Sequence, residues 1–213
     1  MQKRISVSII ILFLLFTCAA AFSSCKSDPD KGRIPYSPRS GIYEVMLDPE
    51  SQWALMDNAA QSINAIALYN STVASGGMTL MVQIDCYSKS DLSILNVSDI
   101  DSFIKFYKTF DYVKGIYESD KNTVADLSVI GTKEMKNTPL KAGKRQEIYI
   151  KNTNGETETD STSEFIYLET QNYYFAVSYG MLNENLTENV KTAVNDLIFH
   201  IRESQNSTET SAT

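Results

Sequence analysis

Residues 78–87 carry an apolar side chain at every second position, and this two-residue period limits what the chain can fold into. Successive side chains of a strand point to opposite faces, so the five apolar residues of this segment are predicted to share one buried face. Residues 62–70 also read as a strand, and the turn signal Gly76-Gly77 lies between the two segments. The two segments are therefore predicted to form a hairpin.

Short connections join the other predicted strands. They lie at residues 43–47, 123–130, 146–151, 164–169 and 173–179. Strands joined by short turns pair antiparallel, so the sheet is predicted to be mostly antiparallel. The polar segment 152–163 reads as a flexible hairpin loop.

The apolar period changes to 3.6 residues in two segments, which predicts two helices. Residues 98–118 present a broad aromatic face, and Ser98 with Asp101 resembles a capping pair. Residues 186–202 form the second helix, with Asn185 and Glu188 as its capping pair. The predicted fold class is therefore α+β, a mostly antiparallel sheet flanked by helices.

The first 24 residues have the layout of a secretory signal. Lys3 and Arg4 precede an unbroken apolar run at residues 9–16, and small residues follow it. The alternative is a single membrane-spanning helix, which needs about 20 apolar residues. Polar interruptions and the small residues at the end favour the signal.

Two processing sites compete at the end of this leader. Ala19-Ala20-Ala21 suits ordinary signal peptidase, and residues 22–25 (Phe-Ser-Ser-Cys) resemble a bacterial lipobox. We favour lipidation of Cys25, which would leave Cys86 as the one thiol of the mature chain. Ordinary cleavage would instead let these two cysteines pair. The predicted location is the cell envelope, anchored to a membrane outside the cytoplasm, with a soluble secreted or periplasmic protein as the alternative.

The remaining chain divides by composition. Residues 25–41 contain three prolines and are predicted to be a lipidated cysteine and a flexible tether. Residues 42–202 form a single globular domain, and residues 203–213 a disordered tail. The first 24 residues hold two of the 19 basic and none of the 26 acidic residues, so their removal leaves a net charge of −9. Such a domain is not expected to bind nucleic acid, and acyl groups rather than charge would attach it to a membrane.

Catalytic and metal-binding motifs are missing from the sequence. The single histidine, His200, has no nucleophile pattern around it, and no glycine-rich phosphate loop or zinc motif occurs. Cys86 lies on the apolar face of the best strand and is predicted to be a buried, inert thiol. We therefore predict no enzyme activity, no metal and no cofactor.

Two segments resemble the PsbP-like family, which includes an extrinsic protein of photosystem II and bacterial lipoproteins. Residues 43–53 (YEVMLDPESQW) are similar to the opening strand, proline and tryptophan of that family. Residues 173–179 (YYFAVSY) and the helix after them resemble its end. The likeness spans residues 42–202 and implies an α/β/α sandwich with a non-catalytic binding or assembly role. The metal-binding histidines of some members have no counterpart here.

Two functions follow as hypotheses. The first is a lipid-anchored binding or assembly module that presents Trp53, Tyr173 and Tyr174 to a protein partner. The second is an envelope lipoprotein that holds a small apolar ligand between sheet and helix. Met81, Tyr107 and Phe110 would line that pocket.

Overall fold

The computed structural model describes residues 28–56, 62–107, 111, 114–115, 123–135, 142–154 and 157–204. The chain divides into two compact units, Met1–Gly32 and Arg33–Thr213. In the first unit the described residues form a turn, in which the Lys31 amide donates to the Asp28 carbonyl at 3.2 Å. The second unit contains every strand and helix described below.

Ten strands form two antiparallel sheets within the described residues. They are β1 (Ile34–Tyr36), β2 (Tyr43–Leu47), β3 (Ala54–Leu55), β4 (Ala65–Asn70), β5 (Leu80–Ser88), β6 (Thr123–Glu134), β7 (Ala142–Asn154), β8 (Thr157–Glu169), β9 (Tyr173–Leu182) and β10 (Ile201–Glu203). The larger sheet has the order β3-β4-β5-β9-β8-β7-β6, and the smaller one the order β1-β2-β10. The α-helices α1 (Lys89–Ser93), α2 (Ile100–Tyr107) and α3 (Glu188–Phe199) accompany them, together with the short 3-10 helices Pro49–Ser51, Ser75–Gly77 and Asn183–Asn185. The predicted α+β class with an antiparallel sheet is confirmed.

The larger sheet has an apolar core on each face, because its strands alternate. Phe175 and Val177 of β9 belong to one cluster, which also contains the buried side chains of α3 and β2. Tyr174 and Ala176, which point the other way, belong to a second cluster with α1 and α2. We call these two sides the α3 face and the α2 face. Helices therefore cover both faces of the sheet.

The predicted hairpin of β4 and β5 is confirmed. The two strands pair antiparallel from Ala65↔Asp85 to Asn70↔Leu80. Leu80, Val82, Ile84 and Cys86 are all buried on the α3 face. The alternation of β5 therefore determines which face of the sheet contacts α3.

The helix boundaries differ from those predicted. Asp99, not Ser98, caps α2: its carboxylate accepts from the Ser102 amide at 2.7 Å, and the Ser102 hydroxyl accepts from the Asp99 amide at 3.0 Å. Hydrogen bonding of the Asp99 carboxylate with the backbone amide of Ser102, followed by the Ser102 side chain, lowers the pKa of Asp99. Thr187, not Asn185, caps α3, because its hydroxyl accepts from the Val190 amide at 3.4 Å. A short side chain directly before the first turn reaches the free amides best.

The polar segment 152–163 lies mostly in strands rather than in a loop. Residues 152–154 belong to β7, and residues 157–163 belong to β8, which pairs with it along 13 residues of each strand. Its threonines favour strands even without an apolar alternation. The alternation of apolar and polar residues therefore did not predict the full length of this hairpin.

Two short strands lie at the edges of the predicted domain. Residues 34–36, within the predicted tether, pair with β2 as β1. Residues 201–203, at the end of the predicted helix, pair with β2 from the other side as β10. The tertiary position of β2 between them explains both, since each is too short to be stable alone. Among the described residues, no helix is both long and apolar enough to cross a membrane.

Candidate functional site

The candidate site lies on the α2 face of β4 and β5, beside α2. Three directly opposed pairs form it, which we call the β4–β5 face: Ala65↔Asp85, Ala67↔Gln83 and Tyr69↔Met81. Met81 is 51% exposed, and its partner Tyr69 is also exposed. The apolar end is thus open to solvent. Met81 and Asp85 are four residues apart on one strand, about 13 Å.

Asp85 provides the polar end of this face. Its Oδ2 accepts a hydrogen bond from the Tyr107 hydroxyl at 3.1 Å, and the Gln83 amide donates to both its oxygens at 3.1 and 3.0 Å. Burial raises the pKa of Asp85, and these hydrogen bonds oppose that shift. A half-buried carboxyl with a perturbed pKa is a common feature of binding sites.

Tyr107 is positioned by an aromatic cluster at the end of α2. Its ring lies 6.0 Å from Tyr87 and 6.1 Å from Phe103, measured between centroids. These contacts direct its hydroxyl toward β5. Of the predicted pocket residues, Met81 and Tyr107 therefore lie on the same face of the sheet, and Phe110 lies outside the described residues.

The predicted interaction residues do not share an exposed surface. Trp53 is buried in the cluster of the α3 face, after Gln52 turns the chain with a φ of 56°. Tyr174 is buried on the α2 face, stacked on Phe103 at 4.9 Å with Lys89 Nζ 4.9 Å from its ring. Tyr173 is partly buried against the opposite cluster. Trp53 and Tyr174 were expected at an exposed surface and are instead buried, because their positions in a turn and a strand direct them into the core.

Of the two cysteines singled out by the sequence, the structure describes Cys86 but not Cys25. Cys25 lies outside the described residues, so its lipidation stays a prediction. Cys86 is a buried free cysteine, and burial raises the pKa of its thiol. A thiol of high pKa is a poor nucleophile.

A buried ion pair on the α3 face was not anticipated. Glu164 of β8 is almost wholly buried, and Arg145 Nε of β7 lies 3.3 Å from its Oε2. Arg145 also donates to Asn195 Oδ1 of α3 at 2.5 Å. Burial, followed by the neighbouring Glu164 carboxylate, raises the pKa of Tyr179. The sequence did contain a signal for this buried ion pair. Glu164 alternates along β8 with Ile166 and Leu168, so its side chain points to the same apolar face.

His200 has a structural position. It ends α3, and its carbonyl accepts from the Met46 amide at 3.0 Å. Its Nε2 lies 3.6 Å from Asp196 Oδ1, and the side chain is buried. Within the described parts of the chain, no three histidine, cysteine or acidic side chains are grouped so that they could hold a metal ion.

Two solved structures are among those similar to this chain. No protein-family model matches the chain, and no curated protein matches it. A protein from Bacteroides thetaiotaomicron is 12% identical, with a TM-score of 0.41, over 83% of this chain and 50% of its own. LpqN of Mycobacterium tuberculosis, described as involved in cell envelope biogenesis, is 9% identical, with a TM-score of 0.43, over 84% of this chain and 87% of its own. The chain thus spans half the length of the Bacteroides protein.

Proposed function

We propose that the protein is an extracytoplasmic, lipid-anchored binding module that holds an apolar ligand against the β4–β5 face, without a catalytic step. The single observation that carries this proposal is the exposed pair Tyr69 and Met81 on the same face of the sheet as the hydrogen-bonded pair Asp85 and Tyr107, about 13 Å along β5. Ligand sites typically combine an apolar surface with a few fixed polar groups. This arrangement supports the second of the two hypotheses over the first, whose residues Trp53 and Tyr174 are buried.

The ligand would lie along β5. Its apolar part would cover Met81 and Tyr69, where burial of apolar surface favours binding by about 25 cal/mol per Å². A polar group that donates a hydrogen bond would lie at Asp85, whose carboxyl is oriented by Tyr107 and Gln83. An amphiphile of about the length of this strip satisfies both ends.

The proposed attachment to the membrane is through acyl groups on Cys25. The PsbP-like resemblance is part of this proposal, and the helices on both faces of an antiparallel sheet agree with the sandwich it implies. A soluble secreted or periplasmic protein is the alternative location.

The ligand proposal is tested by native mass spectrometry of the protein purified from its host, and by titration with the apolar fluorophore N-phenyl-1-naphthylamine. We expect a stoichiometric small-molecule adduct, and at least tenfold weaker fluorophore binding in Met81→Glu. Leu55→Glu is the matched control, because Leu55 is 45% exposed but pairs with Leu68 on the α3 face. Equal binding by both variants, or an adduct-free wild type that does not bind the fluorophore, would argue for a protein partner instead.

The anchor is tested separately by N-terminal peptide mass spectrometry in the native host. A diacyl or triacyl mass on a chain that starts at Cys25, lost in Cys25→Ala, is the expected result. An unmodified chain that starts at Phe22 would show that the protein is soluble.

A further inference from the structure

Asp85 differs from two other partly buried carboxylates of the second unit in what surrounds it. Glu169 Oε1 lies 2.7 Å from Lys89 Nζ, and Asp196 Oδ1 lies 2.7 Å from Arg33 Nη2. Each of these two carboxylates therefore has a cationic partner. Among the described residues, no lysine, arginine or histidine forms an ion pair with Asp85.

The groups that donate to the Asp85 carboxylate are neutral. They are the Tyr107 hydroxyl, at 3.1 Å from Oδ2, and the Gln83 side-chain amide, at 3.1 and 3.0 Å from the two oxygens. Burial raises the pKa of Asp85, and these two neutral donors oppose that shift. A carboxylate partly removed from water is costly unless an opposite charge pairs with it. A cation is therefore the complement that this carboxylate lacks.

Small side chains flank Asp85 on both neighbouring strands. Ala65 of β4 and Ala176 of β9 are directly opposite it. Directly opposed residues of antiparallel strands share a face, with their Cβ atoms about 4.5–5.5 Å apart. Because alanine extends no further than its Cβ, the two neighbouring strands leave space on either side of the carboxylate.

Aromatic rings lie next to this carboxylate. Tyr87 is two residues from Asp85 on the same face of β5, about 7 Å along the strand. Its ring centroid lies 6.0 Å from that of Tyr107 and 6.1 Å from that of Phe106, which is 36% exposed. The face of an aromatic ring attracts ammonium groups, and several rings together recognise alkylated ones. The rings beside Asp85 therefore favour the same kind of ligand as its charge does.

The α2 face already holds one ammonium group between a carboxylate and a ring. Lys89 Nζ lies 4.9 Å from the centroid of the Tyr174 ring and 2.7 Å from Glu169 Oε1. Glu169 and Tyr174 are directly opposed on β8 and β9. Asp85 and Tyr107 offer the same combination of groups, and the rings of Tyr107 and Tyr174 pack in the same cluster.

The charge of the whole chain also favours a cationic ligand. The sequence contains 19 basic and 26 acidic residues, a net charge of −7. A chain of this charge attracts cations and repels anions. An amphiphile with an anionic headgroup is consequently disfavoured at Asp85.

We propose that the ligand of the β4–β5 face is an alkyl amphiphile with a cationic amine, which pairs with Asp85 beside the rings of Tyr87 and Tyr107. This inference rests on the proposed ligand site and names the class of its ligand. The alkyl chain would follow β5 to Met81 and Tyr69, about 13 Å from the carboxylate. The amine N–H groups would donate to the carboxylate, and such charge-assisted hydrogen bonds are stronger than neutral ones.

The test is displacement of N-phenyl-1-naphthylamine from the full-length protein at pH 8, where alkylamines are protonated. The competing probes are decylammonium, decanol and decanoate, which share one chain length and are used below their micelle-forming concentrations. Decylammonium is expected to displace the fluorophore from the wild type at a roughly tenfold lower concentration than decanol, because its bond to Asp85 is charge-assisted. Decanoate is expected to be the weakest competitor.

Asp85→Asn removes the charge and keeps the shape of the side chain. The advantage of decylammonium over decanol is expected to disappear in this variant, because no carboxylate remains to attract the amine. Glu188→Gln is the matched control, since it removes one negative charge from the exposed first turn of α3, on the opposite face of the sheet. The advantage should persist in Glu188→Gln.

The outcomes separate the amine from the ligand site itself. Wild-type protein that does not bind the fluorophore overturns both the proposed site and this inference. Displacement by decanol or decanoate at the same or a lower concentration than decylammonium overturns the amine and leaves the site intact. An advantage that persists in Asp85→Asn, or that is lost equally in Glu188→Gln, overturns the pairing with Asp85.

Discussion

Arg145 connects three elements through one side chain. It pairs with the buried Glu164 of β8 at 3.3 Å and donates to Asn195 of α3 at 2.5 Å. A buried ion pair contributes little net stability, but loss of one partner leaves an uncompensated buried charge. The pair therefore specifies how α3 sits on the sheet more than it stabilises the fold.

Arg145→Met is expected to lower the free energy of unfolding by about 3–5 kcal/mol. The control is Arg202→Met, whose ion pair with Glu44 is more exposed at 3.2 Å and should cost less than about 1 kcal/mol. Urea unfolding measures both. The double variant Arg145→Met with Glu164→Leu should recover most of the loss, and a double variant as unstable as Arg145→Met would contradict this account.

Asp85 predicts a pH dependence of opposite sign to that of most carboxylates. Burial raises its pKa in the folded state, so the stability it contributes is complete below the unfolded value near 4 and is lost as the pH rises through the raised folded value. Asp85→Asn is therefore expected to be more stable than wild type at pH 7, with the difference vanishing near pH 3. Tyr107→Phe removes a bond to the carboxylate and should steepen the wild-type trend. Urea titrations between pH 3 and 7 measure both, and parallel curves for the three proteins would refute the assignment.

At the scale of elements, caps and turns decide where helices end. The Schellman motif that ends α1 depends on a residue that tolerates a positive φ, which Asn96 does at 59°. Helix ends are the part of the secondary structure that the apolar period locates least well, as the shifted caps of α2 and α3 illustrate.

Asn96→Ala is expected to lower the free energy of unfolding by about 1 kcal/mol, because alanine is strained in the left-handed region. Asn96→Gly, the matched control, should equal or exceed the wild type. Guanidinium unfolding of the two variants makes the comparison. Equal loss in both would mean that the Asn96 side chain, rather than its backbone conformation, matters.

At the scale of the whole molecule, the C-terminal strand joins the two sheets. Ile201 is buried in the cluster of the α3 face, β10 pairs with β2, and Glu203 accepts from Asn172 in the turn between β8 and β9 of the larger sheet. The Ser204 amide also donates to the Ile42 carbonyl at 3.1 Å. These contacts connect segments that are far apart in sequence.

Deletion of residues 201–213 is expected to cost about 3 kcal/mol or more, from the loss of Ile201 burial and of the β10 hydrogen bonds. Deletion of residues 205–213 alone should leave the thermal midpoint unchanged, because their polar sequence predicts a disordered tail. Differential scanning calorimetry distinguishes the two chains. A shorter deletion that also destabilises would assign a structural role to the last nine residues.

The α+β class, the hairpin of β4 and β5, the strands of the last hairpin and the burial of Cys86 could all be predicted from the amino-acid sequence. These follow from local periodicity, since a strand or helix with one apolar face must bury that face. The sequence also predicted Met81 and Tyr107 as pocket residues, and both lie on the α2 face, but it did not point to Asp85.

The burial of particular aromatic rings, the pairing of β1 and β10 with β2, and the ion pair of Arg145 with Glu164 follow from the three-dimensional arrangement of the elements. Trp53 and Tyr174 fit either a surface or a core in the sequence, because an amphipathic ring suits both. Whether such a ring is buried depends on its neighbours in space, and these are distant in sequence, as Phe103 is from Tyr174. Contacts of this kind depend on how strands are ordered in the sheet, which a local pattern does not encode.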